Sequence, residues 1–162
     1  MNIINTVKII GAVLVVLGGA ILAYMLNSKA KCTLTRTEGF ISLLRYIKTQ
    51  VDCYSMPLSR ILGNCNDSIY SDCGYVGEKK PNNLSELISG CPSLDGRALK
   101  IMSEFSEEFG KSYRGEQVKL CDRCIDELAI LRTEVSEGLP LRRKLNSTLC
   151  MSGAMAIVIL LI

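Results

Sequence analysis

The chain has 162 residues, of which 48% are hydrophobic and 22% charged, and a formal net charge of +3 at pH 7. It contains no histidine, which excludes Ser-His-Asp and Cys-His catalysis and removes the commonest neutral metal ligand. The absence of tryptophan, the three phenylalanines and the small net charge argue against a nucleic-acid partner. The mean hydropathy of +0.25 is nevertheless high, because uncharged residues are concentrated at the two ends.

Residues 1–28 are predicted to form an N-terminal transmembrane helix. The uncharged run over residues 9–26 would span roughly 27 Å as a helix, close to the hydrocarbon thickness of about 30 Å. A cleaved signal peptide is the alternative, because the Ser-Lys-Ala sequence at 28–30 faintly resembles a cleavage site. The run is longer than the usual apolar region of a signal peptide, roughly 7–15 residues, so we expect a retained anchor.

Residues 29–144 are predicted to form a helical domain. Residues 34–54 carry apolar side chains at steps of three and four, which predicts a helix with one buried stripe. Gly39 weakens this helix without ending it. Pro57 suits the first turn of a short second helix through Leu62. The stripe residues of the first helix are Phe40, Leu44, Ile47, Val51 and Tyr54.

The middle of this domain is predicted to be irregular, with two helices after it. Glycine, asparagine, aspartate and proline break any period over residues 65–81. A short helix should follow at 85–89. A longer helix then has Ser93 or Asp95 as its N-cap candidate and ends at Gly110.

A second long helix is predicted over residues 116–137, again with an apolar stripe. Gly138 and Pro140 should interrupt it, since proline lacks the amide donor and kinks or breaks a helix. No segment alternates apolar and polar residues in the manner of a strand. The predicted fold class is therefore all-α, a membrane-anchored helical bundle.

Residues 145–162 form a second uncharged run and are predicted to be a C-terminal transmembrane helix. A hydrophobic tail docking into a soluble core is the alternative, but residues 156–162 would be apolar on every face, which suits lipid better. Both runs have basic residues on their central sides, and short flanks rich in Lys and Arg stay cytoplasmic. The domain over 29–144 should therefore be cytoplasmic, with its cysteines reduced. The topology-determining residues are Lys29, Lys31, Arg36, Arg142, Arg143 and Lys144.

The sharpest local motif is the pair of cysteines at Cys121 and Cys124, which share one helix face. A structural zinc site would need two more ligands, and without histidine these would be Cys65 with Cys73 or Cys91. That second pair lacks the spacing of a zinc motif. We therefore expect buried structural thiols, with no metal and no cofactor, and we keep a redox pair as the alternative.

Charged residues of the helix after Asp95 form the candidate partner-binding surface. Its three glutamates could act as acid and base, but nothing in the sequence marks a cleft around them. The chain also lacks the glycine-rich phosphate loop of nucleotide hydrolases, so we expect a protein without enzymatic activity. The surface residues are Arg97, Lys100, Glu104, Glu107, Glu108 and Lys111.

The ordered layout of these segments resembles the stage III sporulation protein AB family of endospore-forming bacteria. The resemblance is carried by residues 7–12 (VKIIGA), 56–58 (MPL), 109–110 (FG) and 157–162 (IVILLI). That family is similar in its cytoplasmic helical domain to the inner-membrane platform protein of type II secretion and type IV pilus systems. Pro140 and the Cys- and Gly-rich residues 65–81 depart from the family pattern.

The resemblance implies a platform component, required for endospore formation, of the channel that joins mother cell and forespore. It places the protein in the mother-cell membrane around the forespore, with two spans. Its implied partners are a cytoplasmic secretion-type ATPase, other membrane subunits of the channel and the lipid bilayer. Two alternatives stay open: a membrane adaptor or assembly factor of a secretion or pilus system outside sporulation, and a membrane thiol-redox protein that uses Cys121 and Cys124.

Overall fold

The computed structural model describes residues 3–92 and 94–161, and for residues 3–10, 12, 26, 30, 142, 143, 154 and 157–161 it describes the backbone only. All regular elements in the described residues are α-helices, which confirms the predicted all-α class. The elements are α1 (Ile3–Tyr54), α2 (Leu58–Asn64), α3 (Asp67–Cys73), α4 (Leu84–Ser89), α5 (Gly96–Glu108) and α6 (Arg114–Leu161).

The chain divides into two units. The helical unit is Cys32–Val135, and the terminal unit is Met1–Lys31 together with Ser136–Ile162. All of α2 to α5 and the ion-paired parts of α1 and α6 therefore belong to the helical unit. The predicted boundaries at residues 28 and 144 mark where the chain would enter the bilayer, not where the packed units divide, and they stay predictions.

In the terminal unit, the first part of α1 is strongly apolar. Among the described residues, one helix is long and apolar enough to cross a bilayer. It runs over Val13–Tyr54 and contains a segment of 18 residues with a mean hydropathy of 1.6. The predicted second span at 145–162 is not found by this criterion, and the side chains of 157–162 lie outside the described residues. The exposed apolar side chains of the first segment include Val13, Leu14, Leu17, Ile21, Leu22 and Met25.

The predicted stripe of α1 forms one wall of the core of the helical unit. Phe40, Leu44 and Ile47 are fully buried, and Val51 is nearly so. Tyr54 is an exception, because its side chain is 64% exposed where the helix ends. The other fully buried large apolar side chains come from α1 itself and from α2, α4, α5 and α6: Leu43, Ile61, Leu62, Leu84, Leu87, Met102, Phe105 and Leu128.

Ion pairs define how α6 lies against its neighbours within the helical unit. Residue numbers fall along α6 as they rise along α1 and along α5, so α6 is antiparallel to both. Four of these pairs are solvent-exposed and Lys48–Asp122 is partly buried, so each contributes little to stability, but all five fit one antiparallel register. The pairs with α1 are Glu38–Arg132 at 2.6 Å, Lys48–Asp122 at 2.6 Å and Asp52–Arg114 at 3.1 Å. The pairs with α5 are Arg97–Glu134 at 2.6 Å and Glu108–Arg123 at 2.9 Å.

The segment 65–81 is not irregular throughout, as the sequence predicted, because it contains α3. The Asn66 side chain accepts a hydrogen bond from the Ser68 amide at 3.1 Å, which caps the helix. Gly74 ends it in the left-handed region at φ 78°. The buried Tyr70 hydroxyl donates to the Leu62 carbonyl at 2.6 Å, which ties α3 to α2. Asn66 and Gly74, which break the period in the sequence, are the two caps of this helix, and for that reason it was not predicted.

α5 begins directly after Asp95, one of the two predicted N-caps, and ends at Glu108 with Phe109 as its C-cap, just before the predicted end at Gly110. The Asp95 side chain accepts from the Arg97 amide at 3.2 Å and is the N-cap, whereas the alternative cap, Ser93, lies outside the described residues. Gly110 has φ 87°, a conformation that glycine adopts without steric cost. Residue type therefore located both ends of α5 to within about two residues.

Pro140 does not break the last helix, and this corrects the prediction that Gly138 and Pro140 interrupt it. α6 runs through both residues to Leu161. A proline within a helix removes one backbone hydrogen bond and crowds the carbonyl four residues earlier. Long helical segments on both sides of Pro140 keep their own hydrogen bonds, so the loss of one bond does not end α6.

Candidate partner-binding surface

The predicted charged face of α5 is partly occupied by contacts inside the protein. Arg97 and Glu108 are the α5 members of the two ion pairs to α6. The hydrogen bond to Glu134 raises the pKa of the Arg97 guanidinium, and the same contact lowers the pKa of the Glu134 carboxyl. The charges of these two α5 residues are therefore largely matched within the unit.

The remaining four residues of this face are less engaged in contacts with α6 and are therefore more accessible to a partner protein. Lys100 and Glu104 lie four residues apart, about one helical turn, and form a loose ion pair with 3.9 Å between Nζ and Oε1. Lys111 lies over a depression at the turn between α5 and α6. Glu107 forms no ion pair with any described residue and borders a groove on the α4 side. The six predicted residues thus do not form one uniform surface.

The groove between α4 and α5 was not recognised in the sequence. It has a volume of about 490 Å³. Leu99, in the first turn of α5, lines the groove. It is 40% exposed, although its side chain is large and apolar. Leu99 lies off the apolar stripe of α5, and that misfit was the available signal. The sequence predicted the helix that forms the opposite wall, at 85–89, but not its packing beside Leu99, because that contact depends on tertiary structure.

Cys121 and Cys124 lie on the buried stripe of α6. Both thiols face the core, with 0% and 2% of the side chain exposed. Burial raises the pKa of Cys121 to about 12 and that of Cys124 to about 11. A thiol with a raised pKa is protonated at neutral pH, and the thiolate is the form that attacks disulfides and binds metals.

The other cysteines considered as metal ligands are also buried. Cys65, Cys73 and Cys91 are each at most 3% exposed. Burial is the main cause that raises the pKa of each of these thiols. Within the described residues, no group of three or more Cys, Asp or Glu side chains has an arrangement that could hold a metal ion.

The predicted basic flanks have different surroundings. Lys29, Lys31 and Lys144 are exposed, and the side chains of Arg142 and Arg143 lie outside the described residues. Arg36 belongs to the helical unit and packs over the end of α3. A Cβ at Gly74 would come within 2.7 Å of the Arg36 Nε, and the Arg36 Nη1 is buried without a hydrogen-bond partner in the described part of the chain.

These features define an all-α protein with an ion-paired helical unit and an N-terminal helix apolar enough to enter a membrane. The family model for stage III sporulation protein AB matches residues 8–162. The chain therefore belongs to that family and acts in stage III of sporulation, which confirms the resemblance drawn from its sequence. No curated protein and no solved structure matches the chain.

Proposed function

We propose that the protein is a non-enzymatic membrane platform of the channel between mother cell and forespore, and that its helical unit docks a cytoplasmic secretion-type ATPase. The observation that carries the proposal is the match to the sporulation family over nearly the whole chain. Support comes from the organisation of the chain, in which a packed helical unit lies in sequence between two apolar segments.

In this proposal both apolar segments cross the membrane. The exposed leucines and isoleucine of α1 would contact lipid. The C-terminal part of α6 also exposes large apolar side chains, namely Leu145, Leu149, Met151 and Met155. The basic residues beside the two segments would hold the helical unit in the cytoplasm, as short Lys- and Arg-rich flanks do. Both termini would then face outward.

Labelling of Cys53 tests this topology. Cys53 is exposed in the helical unit, so in a C32S/C150S background it is the reactive thiol. We expect a membrane-impermeant maleimide to leave Cys53 unlabelled in intact cells and to label it after permeabilisation. An added Asn2→Cys substitution is the matched control and should be labelled from outside. Labelling of Cys53 in intact cells would contradict the cytoplasmic placement.

Neutral residues in place of Arg142, Arg143 and Lys144 should weaken the signal that retains the helical unit in the cytoplasm. The same labelling measures this effect, as an increase in the labelling of Cys53 in intact cells.

The ATPase is the partner that the family resemblance implies, and the sequence of this chain has no phosphate-binding loop of its own. Any energy input would then come from another protein that contacts the helical unit. The full chain in lipid nanodiscs should bind the purified ATPase of the same sporulation system, whereas empty nanodiscs should not. No difference between the two would overturn the docking proposal, while leaving the family assignment intact.

The two alternative functions are less well supported. A membrane adaptor or assembly factor of a secretion or pilus system outside sporulation is disfavoured by the family match. A thiol-redox protein is disfavoured because Cys121 and Cys124 are buried and their pKa values are raised, whereas redox-active thiols are accessible and have lowered pKa values.

A further inference from the structure

We propose that the groove between α4 and α5 receives a short amphipathic helix of the partner, with apolar anchors next to a lysine or arginine. This inference rests on the proposed function, in which that partner is the ATPase. It goes beyond it by naming the surface on this chain and the chemistry of the segment that binds there.

One wall of the groove is a regular stripe of α5. Leu99, Ser103, Ser106 and Glu107 line it, at steps of three and four that place them on one face of the helix. From Leu99 to Glu107 the stripe extends about 12 Å along the axis, since each helical residue rises about 1.5 Å. That length accommodates about two turns of a partner helix, whose pitch is about 5.4 Å.

The opposite wall comes from α4, which packs against α5. Ser85, Ile88 and Ser89 line it, again on one helical face. Ser89 donates its hydroxyl to the Glu86 carbonyl at 2.9 Å, and Ser106 on the other wall donates to the Ser103 carbonyl at 2.8 Å. The hydroxyls of Ser89 and Ser106 are therefore satisfied within their own helices and stay paired when a partner helix approaches.

The floor and one end of the groove are apolar, and the other end is acidic. Leu99 is 40% exposed and half-buried Ile88 and Leu94 lie beside it. Glu107 stands at the far end of the α5 stripe without an ion pair in the described residues. An apolar anchor near Leu99 and a cation near Glu107 would therefore complement the groove. Amphipathic helices bind grooves in this way, through anchors spaced at three and four residues.

Two groove variants and two matched controls test the inference in the full chain in nanodiscs. Leu99→Ser removes the exposed apolar contact, and Glu107→Lys reverses the free carboxylate. Ile130→Ser is the control for the first, since Ile130 is 59% exposed on α6. Asp126→Lys is the control for the second, since Asp126 is also exposed on α6. Circular dichroism of each variant confirms that the unit is folded.

We expect each groove variant to weaken ATPase binding by about tenfold or more, as the loss of a central interface residue does. The controls should stay within about twofold, because exposed positions away from the interface have little effect. If the wild-type chain binds and the groove variants bind equally well, the groove inference is overturned and the proposed function stands. If the wild-type chain does not bind the ATPase at all, the proposed function fails first.

A photoreactive residue at Ser103 supplies a second measurement that does not depend on weakened binding. A cross-link from this position to the ATPase would support the groove as its docking site. A cross-link to a second copy of this chain, with none to the ATPase, would overturn it and assign the groove to self-association.

Discussion

Replacing Gly39 with alanine is expected to destabilise the helical unit by about 3 kcal/mol, at the upper end of the usual cost of overpacking a core. A Cβ at this position would lie 2.5 Å from the Asp72 backbone carbon and 2.6 Å from the Cys73 backbone nitrogen. Backbone atoms cannot rotate away as a flexible side chain can. The substitution therefore has to push α1 and α3 apart.

Gly63→Ala is the matched control for this prediction. Gly63 also lies in a helix, but a Cβ there would have no atom of the described residues within 4 Å. Alanine has the higher helix propensity by roughly 1 kcal/mol, so this variant should be neutral or slightly more stable. Urea unfolding of the full chain in detergent, followed by circular dichroism, measures both effects. An unchanged midpoint for Gly39→Ala would contradict the close approach of α1 and α3.

Replacing Phe105 with alanine is expected to cost about 4 kcal/mol, the range measured for buried phenylalanines that leave a cavity. Phe105 is fully buried, and the centre of its ring lies 5.0 Å from that of Phe109. This side chain anchors α5 to the core. Its loss should also loosen the groove wall and the Arg97–Glu134 pair, which belong to the same helix.

Leu99→Ala is the control on the same helix, because Leu99 is already 40% exposed. It should change the free energy of unfolding by no more than about 0.5 kcal/mol. Phe105→Leu should fall between the two, since it keeps part of the buried volume. Equal unfolding midpoints for Phe105→Ala and Leu99→Ala would show that α5 is not held by this ring.

The two glycine positions illustrate what the sequence could not decide. Gly39 appeared there as a residue that weakens a helix, because propensity is a property of the single residue. In the folded chain it is the point where α3 touches the backbone of α1. The need for glycine arises from a segment more than 30 residues away in sequence, and no local pattern reports it.

The candidate binding surface shows the same division. The sequence identified the charged residues of α5 correctly as exposed, since they lie off the apolar stripe. It could not separate Arg97 and Glu108, which pair with α6, from Glu107, which stays unpaired among the described residues. That distinction depends on the register between helices. The groove beside Leu99 likewise exists only because α4 lies against α5.

The sequence by itself determined the features that depend on neighbours along the chain. These are the all-α class, the apolar N-terminal helix, the buried stripe of α1, the limits of α5 to within about two residues, and the ordered motifs that place the chain in its sporulation family. Tertiary structure alone decided the close approach of α3 to Gly39, the antiparallel ion-pair register and the groove. The physical reason is that periodicity, caps and hydropathy act within a few residues, whereas packing and charge pairing join segments that are distant in sequence.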